Sequence, residues 1–200
     1  MQVIEQGRSV AAEARRAQIV AATVAVIADD GYGAASFARI AERAELSSTR
    51  LISYHFAGKD ELMAAVVASV VQAIGHDVGR RVGAEAAAAG QLRAYIEGVV
   101  AFTDSRRAEM RALLQIALAG ALPAETAADD VAPGHLETIL RQGQTDGEFR
   151  SFDPQVMAMA VQRVVESLPF ALQSQPDLDC TAFAAEVVTI FDLATRQDRR

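Results

Sequence analysis

Between Ser36 and Lys59 the chain reads SFARIAERAELSSTRLISYHFAGK, two short helical patterns separated by a tight polar turn. Phe37, Ile40, Ala41 and Ala44 recur at the spacing of one helix face, and Leu51, Ile52, Tyr54 and His55 carry a second helix of about two turns. Glu45, Leu46 and Ser47 make the break. Ser36 stands where its hydroxyl can accept a hydrogen bond from a free backbone N–H of the first helix, and Ser47 or Ser48 can do the same for the second. Where two helices cross close to a right angle near a short turn, a small residue on the first lets the second approach, and Ala41 is such a residue. The pattern is that of a helix-turn-helix, whose second helix can lie in a DNA major groove.

The rest of the chain reads as more helix. Of 200 residues 51% are hydrophobic, alanine is abundant, and β-branched alternation is scarce. The single cysteine, Cys180, excludes an internal disulfide framework and a cysteine-based zinc site. The three histidines, His55, His76 and His135, stand far apart, and no glycine-rich loop follows a strand. An enzyme is therefore not expected, nor a metal or a cofactor. No uninterrupted apolar run of about 18 residues suggests a membrane span, and the amino terminus lacks a signal core. The expectation is a cytoplasmic chain without a membrane partner.

A net charge of −7, taken alone, argues against a nucleic-acid partner. Its distribution does not. Residues 1–60 hold seven basic and seven acidic side chains, so the acid excess lies entirely beyond them. Net charge bears on solubility, whereas the local field decides phosphate contact. Lys59 is the only lysine in the chain. It opens the helix expected from Lys59 to Val82, and a lysine at a helix start makes a ready phosphate site.

Further expected helices run from Val10 to Asp29, Gln91 to Asp104, Arg107 to Ala119 and Pro133 to Gln142. Another opens at Pro154 and kinks near Pro169, and the last spans Thr181 to Thr195. Residues 1–9 are expected to be frayed, with Arg15 and Arg16 near a helix start, solvated or close to a phosphate. Gly31 suits a left-handed cap, and 120–130 reads as a loop. The fold class is all-α with about nine helices: a helix-turn-helix domain over 10–57 and a second helical domain over 58–200, joined by the Lys59–Val82 helix.

These runs resemble the tetracycline-repressor-like (TetR) family of bacterial transcriptional regulators. The resemblance lies in Arg16 to Ala22, Gly31 to Phe37, Ile40 to Ala44 and Tyr54 to Leu62, in order over residues 10–70. Further on it is limited to helix count and the loop Gly143-Gln144-Thr145-Asp146-Gly147-Glu148-Phe149. It implies a homodimer whose carboxy-terminal domain binds a small ligand and releases operator DNA. It also implies phosphate contacts at Ser36, Tyr54 or His55, and Lys59. Base reading falls to Ser48, Thr49 and Arg50, beside the capping candidate Ser47. Arg50 can pair bidentately with guanine, worth about 1–3 kcal/mol of discrimination. The chain departs from the family in two places. Glu45 stands where a glycine is usual, at a cost of about 1 kcal/mol if the backbone is left-handed. The interval from Leu46 to Phe56 is one residue longer, which bears on the register of the base readers.

Candidate ligand-facing residues are Met63, Val67, Tyr95, Phe102, Leu114, Leu118, Met157 and Val161, for an apolar or amphipathic small molecule. The last two helices carry more than one apolar stripe, which points to packing beyond their own domain. The candidate dimer residues are Val161, Val164, Val165, Leu168, Phe183, Val187, Ile190 and Phe191. The alternative is an all-helical protein–protein interaction module without DNA binding, which would leave Lys59 and the turn unexplained.

Overall fold

The computed structural model describes residues 2–122 and 131–197, with side chains from Val10 and, in the second stretch, from Gly134. Ten α-helices occur among them: α1 (Gln2–Asp30), α2 (Phe37–Arg43), α3 (Arg50–His55), α4 (Lys59–Val82), α5 (Ala88–Ser105), α6 (Arg107–Leu118), α7 (Val131–Thr145), α8 (Pro154–Glu166), α9 (Leu168–Ser174) and α10 (Cys180–Thr195). A 3-10 turn, Tyr32–Ala34, follows α1. The helix expected from Val10 thus continues back to Gln2. The loop expected over 120–130 lies, from Pro123 on, outside the described residues.

The chain divides into two compact units. One holds α1 to α3, α4 up to Val71, and α6; the other holds the rest of α4 with α5 and α7 to α10. The core of the first gathers Ile19 and Ile27 of α1, Ile40 of α2, Ile52 of α3, Leu62, Met63, Val66 and Val67 of α4, and Ala112 and Ile116 of α6. These come from the apolar stripes legible in the sequence. Phe56, 1% exposed, seals the turn between α3 and α4.

The core of the second unit packs Val78 and Val82 of α4 with Leu92, Tyr95 and Ile96 of α5, Leu136 and Leu140 of α7, Val161 and Val165 of α8, and Val187 and Phe191 of α10. Burial pushes the Tyr95 phenol up to about 12, so it stays neutral. α4 is the one described helix long and apolar enough to cross a membrane. Its Leu62, Val66, Val67, Val78 and Val82 are nevertheless packed into the two cores.

The kink expected near Pro169 falls two residues earlier, at Ser167, which keeps a helical backbone, φ −73° and ψ −21°, between two separate helices. Pro169 has no N–H to give and its ring would meet the Val165 carbonyl. The helix therefore ends at Glu166, the Ser167 hydroxyl donates to the Val164 carbonyl at 2.6 Å, and α9 restarts at Leu168.

The Gly143–Phe149 loop ties the second unit together. α5 starts after Ala87, which has no side chain to cap it. Glu148 supplies the cap from a distance, accepting from Ala88 N at 3.1 Å and Ala89 N at 3.0 Å. Arg150 donates its backbone N–H to Thr195 O at 2.9 Å and its Nε to Ala194 O at 2.7 Å, closing the end of α10. Phe149 lies flat against Gly143. A Cβ at Gly143 would overlap the Phe149 ring and stand 2.9 Å from Ala88 Cβ. Gly143→Ala is accordingly expected to destabilise the chain by about 1–3 kcal/mol. A thermal unfolding midpoint equal to that of the unsubstituted chain would show that Phe149 moves aside freely.

Candidate nucleic-acid interface

Local hydrogen bonding builds the reading head from its ends inward. Ser36 takes an extended backbone, φ −90° and ψ 153°, and its hydroxyl accepts from Arg39 N at 3.3 Å, capping α2 as the sequence suggests. Gly31 takes φ 88° and ψ 162°. That is not the left-handed helical cap expected, but a more extended region that is open essentially to glycine alone.

At its other end α2 stops in a Schellman motif. Leu46 N donates to Ala41 O at 2.8 Å, and Glu45 N donates to Glu42 O at 3.1 Å. The geometry requires a left-handed residue between, and Glu45 supplies it at φ 51°, the one non-glycine residue with positive φ among those described. Leu46 then turns into the core beside Ala41 and Ala44. From α1, Gln18 donates to Ala44 O at 2.7 Å, covering a carbonyl freed at the helix end. Nothing in the sequence pattern signalled that contact.

For α3 the cap is Ser48. Its hydroxyl accepts from Arg50 N at 3.1 Å, while Thr49 makes no capping bond. Ser47, Ser48, Thr49 and Arg50 are all exposed, and Ile52 is buried beneath them. Tyr54 is 82% exposed and meets the half-buried His55 edge-on, ring centroids 5.1 Å apart. Lys59 is half-buried at the start of α4, its ammonium 4.3 Å from the Tyr32 ring centroid. The structure thus gathers all eight candidate DNA-contact residues into the first unit.

The basic side chains around them divide into two groups. Arg39 pairs with Asp30 at 3.0 Å and Arg43 with Asp29 at 2.9 Å. Two acids at the end of α1 oppose the helix dipole, and the arginines of α2 neutralise them. Arg16, expected at a helix start, lies well inside α1 instead and turns inward. It donates to the His55 carbonyl, stands 3.4 Å from Glu61 and stacks 4.2 Å over the Phe56 ring. Arg50 makes no ion pair among the described residues.

This arrangement coincides with the family model for bacterial regulatory proteins of the tetR family, which matches residues 19–66. Over these residues the chain matches the TetR family. The fold extends the likeness over nearly the whole chain. A TetR-family regulatory protein from Rhodococcus RHA1 superposes with a TM-score of 0.75 at 22% identity, over 92% of this chain and 98% of that one. AibR, solved with isovaleryl coenzyme A and operator DNA, gives 0.75 at 20%, over 88% and 97%. The fatty acid degradation regulator FadR from Bacillus halodurans gives 0.77 at 16%, over 89% and 94%. No curated protein sequence matches this one.

The residues expected elsewhere in the chain fall differently. Of the ligand candidates, Met63 and Val67 lie in the core of the first unit, and Leu114 is buried and Leu118 67% exposed on α6. Tyr95, Val161 and the half-buried Met157 share the core of the second unit, and Phe102 is buried on α5. The expected dimer stripe needs correction. Val161, Val165, Leu168, Val187 and Phe191 are buried inside their own unit, and Val164 and Phe183 are half-buried. Of that set only Ile190 is open. Both helices do carry a second stripe, but the outward one is Val156 and Met159 on α8 and Ile190 and Leu193 on α10, each at least half exposed. The stronger stripe was claimed by the core.

Because Glu45 sits at a left-handed position, Glu45→Gly is expected to stabilise the fold by about 0.5 kcal/mol, the relieved strain outweighing the greater freedom of the unfolded chain. Denaturant unfolding measures it. A loss of stability would mean that the glutamate side chain contributes something glycine cannot.

Proposed function

We propose that the chain is a homodimeric, sequence-specific DNA-binding transcriptional regulator of the cytoplasm. It acts as a repressor that a small apolar or amphipathic ligand releases from operator DNA. The observation that carries the reading is the exposed start of α3, where Ser48, Thr49 and Arg50 project with no carboxylate paired to the arginine among the described residues. Arg50 and its neighbours read base edges, while Ser36, Tyr54, His55 and Lys59 hold the phosphates on either side. Repression and ligand release are what the resemblance to the TetR family implies, and AibR, solved with both isovaleryl coenzyme A and operator DNA, offers a precedent for both ligand classes in one protein. For the ligand-facing group, Tyr95, Met157 and Val161 are favoured because they already lie together in the second unit.

The experiment is selection of bound fragments from a random-sequence duplex pool. Arg50→Ala should relax the choice at one base pair by about 1–3 kcal/mol. Lys59→Ala should weaken every sequence alike and lower the salt slope by about one. If neither substitution altered duplex affinity at low salt, the assigned contacts would be wrong.

A recognition helix as short as α3 needs a second copy to set half-site spacing. The outward stripes of α8 and α10 suit that copy, because large apolar side chains grouped on one helix face mark an interaction surface. Sedimentation should find a dimer at micromolar concentration, and Met159→Asp with Ile190→Asp should make it a folded monomer. A wild-type monomer under those conditions would remove the dimer from the proposal.

A further inference from the structure

Two side chains brace the turn between α3 and α4 without belonging to α3. Arg16 reaches it from α1 and Glu61 from the first turn of α4. We propose that Arg16 and Glu61 are positioning residues for DNA binding, fixing the α3–α4 turn so that Tyr54, His55 and Lys59 engage one duplex together. The assignment rests on the DNA-binding reading above and adds two residues that act through others.

Each partner does two jobs. The His55 carbonyl is among those that the end of α3 leaves without an intrahelical partner, and Arg16 donates to it. The same guanidinium brings a positive charge to a helix carboxy terminus, where the dipole favours it. Its flat face covers the ring of Phe56, which is anchored in the core. Glu61 accepts from Ala57 N at 2.7 Å through one carboxylate oxygen and faces Arg16 at 3.4 Å through the other. The Ala57 bond above all, and Arg16 after it, hold the Glu61 carboxyl below the usual carboxylate range. Only Phe56, Ala57 and Gly58 separate the two helices. A link so short, ending in glycine, would hinge if it were not held from outside. Lysine could not replace Arg16, because the function uses a planar fork that bonds at its edge and stacks on its face.

The test uses the full-length chain and a fluorescein-labelled duplex taken from the pool that the wild type selects, titrated at several salt concentrations. Arg16→Gln and Arg16→Lys should each weaken binding roughly three- to tenfold, with the salt slope unchanged. A phosphate contact would instead lose about one unit of slope, as Lys59→Ala should in parallel. Glu61→Gln gives the sign that separates positioning from charge. Removing an acid beside a polyanion strengthens binding if charge alone matters, whereas a loosened turn weakens it. The assignment is overturned by unchanged affinity in Arg16→Gln, by a reduced slope there, or by tighter binding in Glu61→Gln. Should the arginine variants not fold, the near-isosteric Glu61→Gln decides alone. A wild-type chain that selects no duplex removes the DNA-binding reading itself, and this assignment with it.

Discussion

A helix of six residues cannot hold its own shape. Isolated helices shorter than about 12–15 residues are marginal in water, and α3 has half that length. Its structure depends on being pinned from outside. Ile52, fully buried, fastens one face into the core that also holds Ile19, Ile27 and Ile40, and Phe56 fastens the exit. Ser48 caps the entrance and Arg16 covers a carbonyl at the end. The long α1 is therefore less a partner in recognition than the frame on which recognition is mounted. Gln18 and Arg16, one turn apart or less, reach the two turns on either side of α3, at Ala44 and His55. That leaves the outward face of α3, with Arg50, Ser53 and Tyr54, outside the core.

The same division explains which basic side chains stay unneutralised in a chain with seven surplus negative charges. Pairs such as Arg39–Asp30 and Arg43–Asp29 lie on the surface, where an ion pair is worth about 0–1 kcal/mol. Their effect is on the field more than on stability. They cancel the two acids at the end of α1. Among the described residues Arg50 is left without a carboxylate partner.

Much of this was legible in the sequence because it is local. The capping serine at 36, the proline opening α8, the small residue at Ala41 and the strain at Glu45 are each settled within four or five residues of chain. What was hidden is what joins distant segments. Arg16 reads as a solvated cation because its partners are 39 and 45 residues away. Glu148 reads as one letter of a loop, although it caps a helix about 60 residues earlier. The outward stripe on α8 and α10 was misjudged for a related reason. Periodicity shows that a helix has two apolar faces, but only the neighbours decide which one the core takes. Val161 and Val165 lost their candidacy to Leu92 and Tyr95 of a helix that the pattern could not place beside them.

Lys59 shows why the kind of partner matters as much as its presence. A carboxylate beside it would hold the ammonium in place, as Asp29 holds Arg43, but would also neutralise it. The face of Tyr32 attracts a cation through the ring quadrupole, by about 0.5–1 kcal/mol at an exposed site, and leaves the charge uncancelled. None of the three N–H donors need be given up to the ring. Stacking also removes part of the rotamer freedom that a lysine side chain must otherwise lose when a phosphate arrives. Tyr32 can serve in this way because Gly31, at a φ that other residues avoid, turns the chain sharply after α1 and sets the ring against the core of the same unit. A glycine before the 3-10 turn, an aromatic within it and the chain's only lysine 27 residues later thus form one device, a cation held in position yet still available to an anion.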